Sequence, residues 1–419
     1  MKTIFIICLV VNLLFSVDAK MEIVKTKSIL PTINVLLSKK TDNKELSNKL
    51  IKLINQDLKV SGHFNVYEFN NDNITSNDRL IMKENGIDLS LTLELTQNND
   101  SSILLSISLF DLNINKLVIN TNLTTSNKNR YPFLSHRTAI LINDHLKAPS
   151  IKWMDRFVIF SRILDSKESE IVISDYTLTY EKVIIKGGFN LFPKWSDKTQ
   201  RSFYYTTYNK NIPTLLKYDL FTKKIKKIIK SDGMLVLSDI SKDYKKLLLT
   251  MSPKGQPDIY LFNLETKYKT QLTNYDGIDV GANFIEDDKK IVFVSDRLKY
   301  PNIFVKELKK SGAQKFIYHG KNNSSLTSYK DYIVYKSRDI KNEFGYSSFN
   351  LYLVSSKSDF MMRLTTFGVN EFPKFSIDGE SILFIKTYNN KSSIGIIRIN
   401  YNKSFLFPLK VGRIQSIDW

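Results

Sequence analysis

Residues 287–319 read DDKKIVFVSDRLKYPNIFVKELKKSGAQKFIYH. Ile291, Val292, Phe293 and Val294 form a short apolar run, and Ser295, Asp296 and Arg297 open a turn that passes Pro301 and Asn302. Ile303, Phe304 and Val305 make a second run, and Lys315, Phe316, Ile317 and Tyr318 a third. β-Branched and aromatic runs bounded by Gly, Pro, Asn and Asp are strand signals. The unit recurs along the chain. A short turn ending in Asp appears at Asp155, Asp197, Asp243, Asp287, Asp331 and Asp378, at intervals of 42, 46, 44, 44 and 47 residues. A period of roughly 40–50 residues holding about four short strands is the mark of a β-propeller. Six anchors predict six blades, with the first run after each anchor as the blade's inner strand.

The same grammar places strands at 247–249, 258–262 and 270–273 in one blade, and at 382–385 and 394–397 in the last. Ile417, Asp418 and Trp419 restate the start of a repeat that no further blade follows. They are expected to pair into the first blade and close the ring, which protects strand edges that an open sheet would expose.

Ahead of the repeats the periodicity changes. Asp42 and Glu45 have capping-box spacing, Leu46, Leu50, Leu53, Ile54 and Leu58 share one helical face, and Gly62 is a suitable helix stop. Strands are expected at 33–37 and 65–69 on either side of this helix. Leu89, Leu91, Leu93 and Leu95 alternate with polar residues, as do Ile103, Leu105, Ile107 and Leu109, and then Leu117, Ile119, Thr121 and Leu123. Such alternation predicts an antiparallel meander with one buried face. A second helix is expected over 133–147, stopping before Pro149.

At the chain's start, Lys2 precedes an apolar run over 4–15, followed by Ser16, Val17, Asp18 and Ala19. This pattern predicts a secretory signal peptide at 1–19. Cys8, the single cysteine, lies within it, so the exported chain would hold neither a disulfide nor a cysteine-based metal site. The expected organisation is a signal peptide at 1–19, a small α/β domain at 20–149 with a flexible segment at 20–30, and a six-bladed propeller at 150–419. The net charge of +19 is spread among solvated positions rather than gathered in one stripe, so nucleic acid is not an expected partner.

These features resemble the TolB family, periplasmic components of the Tol–Pal system. The family's helix ending in DL..SG.F is matched by Asp57, Leu58, Ser61, Gly62 and Phe64, and its pre-propeller helix by Arg130, Tyr131, His136, His145 and Leu146. The blade pattern TSDR.G.P.IY is similar to Val294, Ser295, Asp296, Arg297, Pro301, Asn302, Ile303 and Phe304, and WSPDG..I.F to Phe375, Ser376, Ile377, Asp378, Gly379, Ile382 and Phe384. The chain departs from the family at Ile377 and Glu286, where the anchor proline is missing, at 147–149, and in an insertion-like stretch at 342–348.

The resemblance implies a non-catalytic scaffold, peripheral to the outer membrane and monomeric. Its propeller would bind the peptidoglycan-associated lipoprotein Pal, and its N-terminal segment, including Glu22, Ile23 and Val24, would engage a TolA-like inner-membrane protein. The implied roles are outer-membrane integrity, protein transport and envelope constriction at cell division. On the propeller, loops entering the inner strands and linking the middle strands open on one face. They supply Asn190, Phe192, Pro193, Asp279, Asp296, Arg297, Arg338, Asn370, Glu371 and Pro373 as candidate contacts. No Gly-x-Ser-x-Gly elbow occurs, and of the four histidines at 63, 136, 145 and 319 only His319 falls in the propeller. Neither catalytic residues, a metal nor a cofactor is therefore expected. A secreted propeller binding carbohydrate or peptidoglycan through aromatic platforms is the alternative.

Overall fold

The computed structural model describes residues 30–69, 78–97, 101–209, 212–339, 348–401 and 403–419. The signal peptide, Glu22, Ile23 and Val24, and residues 342–347 of the insertion-like stretch lie outside that set. Pro31–Trp419 forms one compact unit.

Its N-terminal portion is an α/β layer. In chain order it comprises β1 (Thr32–Leu37), α1 (Lys44–Ser61), β2 (Asn65–Tyr67), α2 (Arg79–Glu84), β3 (Leu89–Gln97), β4 (Ile103–Asp111), β5 (Lys116–Thr125) and α3 (Tyr131–His145). The sheet order is β2-β1-β3-β4-β5. β1 runs parallel to both of its neighbours, while β3, β4 and β5 form the expected antiparallel meander. The alternating leucines and isoleucines of β3 and β4 are buried, and with Leu50, Ile54 and Leu58 of α1 they make one core.

Two details of the helices differ from the sequence reading. Asn43, not Asp42, caps α1, its side-chain oxygen accepting from Leu46 N at 3.0 Å. Asp42 instead accepts from Gln97 N at the end of β3, and Glu45 pairs with Lys49, so neither acid is left for a capping box. α3 ends at His145, and Lys147 adopts a left-handed turn beyond it. Gly62 does cap α1 with φ 81°, a conformation that costs glycine little.

The remaining chain builds six four-stranded blades. Their innermost strands are Arg413–Asp418 in blade 1, Asn190–Trp195 in blade 2, Leu235–Ile240 in blade 3, Asp279–Ile285 in blade 4, Lys321–Tyr329 in blade 5 and Val369–Phe375 in blade 6. The innermost strand thus precedes the Asp anchor, and the run at 291–294 is second from the axis, a correction to the sequence reading. From Asp197 onward the anchors lie in the turn between these two strands, while Asp155 precedes the second strand of blade 1. Asp197, Asp243 and Asp378 accept from the backbone N of Thr199, Lys245 and Glu380, while Asp331 pairs with Lys357.

Blade 1 is completed from the far end of the chain, as expected. Arg413–Asp418 pairs antiparallel with Val158–Ile163, and the Trp419 ring lies 5.3 Å from that of the fully buried Trp153. The α/β layer packs on blades 1 and 6, sharing a core with Trp153, Tyr176, Leu383, Ile396 and Phe407.

Candidate functional site

Every innermost strand starts on the same side of the disk, here called the entry face, and ends on the opposite exit face. Turns from the second to the third strand of each blade, such as residues 296–301, also reach the entry face. The α/β layer meets the exit side. Asp57 of α1 accepts from Tyr176 Oη at 2.6 Å, and His63 Nε2 lies 2.6 Å from Tyr401 Oη, both tyrosines standing in turns of that side. The entry face therefore stays clear of the α/β layer.

All six innermost strands carry a register shift against their neighbours. A bulge bends the strand and re-aims its side chains. In blades 2 and 6 the shifted residues are Phe192 and Phe372, held at φ 54° and 50°. Their rings join Met234, Val236, Val280 and Leu326 around an apolar cup of about 370 Å³ at the entry mouth of the channel. Lys194 and Lys374 line both this cup and the more polar cavity on the exit side, which also has Asp239, Asp288 and Asp418 in its wall.

The sequence-derived candidates divide into two groups. Asn190, Pro193, Asp279, Asn370 and Pro373 are buried in the isolated chain, with Pro193 in the lining of the cup. Asn190 donates to Gly187 O at 2.8 Å, and Asn370 donates to Phe349 O and Phe367 O at 2.9 and 3.1 Å. Asp279 accepts from Arg297 Nη2 through both carboxylate oxygens, at 3.0 and 2.8 Å. Asp296 accepts from Ile278 N at 2.8 Å. These groups shape the entry loops because a buried polar atom needs a partner, and here each partner is a loop backbone or a side chain from a neighbouring turn.

Arg297 does two things. It neutralises buried Asp279, and its guanidinium sits 4.9 Å above the Tyr275 ring and 5.0 Å from that of Phe304. Phe192 lines the cup, Arg338 is exposed at the end of its strand, and Glu371 pairs with Lys336 at 2.7 Å. Around them stand exposed rings that sequence reasoning missed: Tyr318 at 79%, Tyr388 at 60% and Phe367 at 57% exposure. Lys386 Nζ lies 3.3 Å from the Phe367 centroid. One signal was available for the cup, because Phe-Pro-Lys occurs both at 192–194 and at 372–374.

Of the four histidines, His136 has the most perturbed surroundings, and they lie away from this face. Fully buried, it is 2.9 Å from Asp57 Oδ2 through Nδ1 and 3.3 Å from Asp175 Oδ2 through Nε2. Burial alone would lower its pKa, but the two carboxylates outweigh burial and raise it to about 10. Burial pushes Asp175 up, yet its bond to His136 holds it below the usual carboxylate value. This is a charged tie between the α/β layer and blade 1. Among the described residues no cluster of His, Cys, Asp and Glu is arranged to hold a metal, and no helix is long and apolar enough to cross a membrane.

Comparison with known proteins matches this architecture. The family description "TolB beta propeller domain" fits residues 156–419. The chain is 45% identical to the Tol-Pal system protein TolB of Wolinella succinogenes, covering 100% of both chains. It is 44% identical to the protein of the same description from Campylobacter jejuni, again over 100% of both. Among solved structures, TolB from Acinetobacter baumannii superimposes with a TM-score of 0.75 at 20% identity, over 92% of this chain and 96% of that one, a likeness of fold.

Proposed function

The chain belongs to the TolB family of Tol-Pal system proteins, and from that membership we propose that it is a periplasmic, non-enzymatic scaffold whose entry face binds the peptidoglycan-associated lipoprotein. The observation that carries this reading is the face itself. Bulged strands surround an apolar cup, and the adjoining turns and strand ends carry exposed rings and the Arg297 and Arg338 guanidinium groups on the side that the α/β layer leaves open. An apolar centre with a polar, aromatic and arginine-bearing surround is the usual anatomy of a protein interface. Aromatic and arginine side chains commonly dominate binding energy there.

The segment at 20–30, with Glu22, Ile23 and Val24, is proposed to engage a TolA-like inner-membrane protein. The chain would then link that protein to the lipoprotein, supporting outer-membrane integrity and constriction at division. The exported chain would act as a monomer, reaching the outer membrane through the lipoprotein.

The chain lacking residues 1–19, immobilised and exposed to envelope extract, is expected to retain the lipoprotein. Replacing Phe372 or Phe192 by Ser should weaken that capture by ~2 kcal/mol or more, the loss typical of a buried aromatic anchor. Tyr268→Ser, on the exit side, should leave capture unchanged. Retention of isolated cell-wall glycan with no lipoprotein would favour a carbohydrate-binding propeller instead.

A further inference from the structure

Blades 2 and 6 flank blade 1 in the ring, and their innermost strands carry the repeated Phe-Pro-Lys. Each tripeptide occupies the bulge of its strand. The bulge turns the Phe ring to the wall of the entry cup and the Lys two residues on to its floor. Both lysines line this cup and the more polar cavity on its exit side.

Their surroundings are unequal. Lys194 Nζ lies 3.7 Å from Asp239 Oδ1 and 3.9 Å from Asp418 Oδ1. Both carboxylates are also held by the next blade, Asp239 accepting from Phe284 N and Asp418 from Trp195 N, each at 2.9 Å. They raise the pKa of Lys194 against the effect of burial. Lys374 makes no ion pair among the described residues, and burial, then the neighbouring Lys194 charge, lower its pKa to about 8. Its side chain lines the apolar cup. Asp418 and Asp239 act on Lys374 only from beyond ion-pair distance, so among the described residues no carboxylate touches its amine.

We propose that the entry cup binds a small apolar monocarboxylate, of the size of a medium-chain fatty acid, with its carboxylate on Lys374 and Lys194 and its chain along Phe192, Met234, Val280 and Phe372. A concave, mostly apolar cavity with a few convergent polar groups is the usual form of a small-molecule site, and about 370 Å³ is within the range for such ligands. Charge-assisted hydrogen bonds from two ammonium groups fix the head, while the apolar wall selects a chain over acetate. This goes beyond the partner-binding reading and is tested without any lipoprotein, so either can fail alone.

Decanoate below its micelle concentration, 1-decanol and acetate are titrated calorimetrically into the full chain without residues 1–19. Decanoate is expected to bind at one site at least about tenfold more tightly than either, the ratio expected for losing a hydrogen bond to a charged group or the apolar chain. Lys374→Met should weaken decanoate by about tenfold or more and leave decanol unchanged, with Lys223→Met, on the outer edge of blade 2, as control. No saturable decanoate binding, equal affinity for decanol, or an unaltered K374M variant would overturn the proposal. Should K374M not fold, the carboxyl resonance of [1-13C]decanoate on the unmodified protein decides. A saturable shift that unlabelled acetate does not displace supports the site, and no shift, or one that acetate displaces equally well, overturns it.

Discussion

Deleting Arg413–Trp419 is expected to abolish the single cooperative unfolding transition of the intact protein. Arg413–Asp418 supplies the innermost strand of blade 1, and without it Val158–Ile163 faces the channel as an unpaired edge. Ile414 and Ile417 are buried in the deleted segment, and burial of two such side chains contributes about 3–6 kcal/mol. Trp419 adds its contact with Trp153 and a hydrogen bond from Nε1 to Phe375 O at 2.7 Å, which ties blade 1 to blade 6. Ser416 and Asp418 accept from Phe192 N and Trp195 N of blade 2, at 3.1 and 2.9 Å. Seven residues therefore join both neighbours of the first blade, and the loss is large against a typical total stability of about 5–15 kcal/mol. Calorimetry should show no cooperative transition, or one lowered by more than about 10 °C. A truncated chain melting within a few degrees of the intact one would mean that the ring does not depend on this closure.

The second large effect is expected at Asp57. Its carboxylate accepts from Ser135 Oγ at 2.7 Å, from His136 at 2.9 Å and from Tyr176 Oη at 2.6 Å, all buried. Asp57→Ala would strand the His136 charge in the interior beside Asp175 alone, and breaking a buried pair in this way costs about 3–5 kcal/mol. Denaturant unfolding measures it. The pH dependence has a definite sign. A histidine whose pKa is raised from 6.5 in the unfolded chain to about 10 stabilises fully below 6.5, and that contribution is lost as pH rises toward 10. Asp175, lowered in the fold, contributes above its unfolded value of 3.8 and loses the contribution as pH falls through its folded pKa. The stability advantage of the unmodified protein over His136→Gln should therefore be greatest between these limits and shrink from pH 6.5 to pH 10. An advantage constant across that range would show that His136 is not charged in the fold.

Much of this architecture was legible because it follows from periodicity. The Asp beat marked turns that local geometry requires, and the alternating leucines of β3 and β4 could face a core only as strands. The closing strand was legible as a repeat begun and not continued. What escaped was settled by contacts distant in sequence. Asp57 and His136 read only as family markers, since nothing local says that residues 79 apart meet, or that Asp175 approaches from a blade. Asp42 was misread as the cap of α1 because its partner, Gln97, lies in another strand. Asn190, Asp279 and Asn370 looked like exposed loop polars, yet burial turns them into ties. The cup was hidden because bulges have no simple sequence rule, although the two Phe-Pro-Lys copies were in view.

Amide exchange with and without the peptidoglycan-associated lipoprotein tests the central claim most directly, that the entry face is the partner-binding surface. Slowed exchange is expected in the entry loops at 186–189, 275–278, 296–301 and 364–368. Protection confined to the exit turns at 242–245 and 286–289, with the entry loops unchanged, would contradict it.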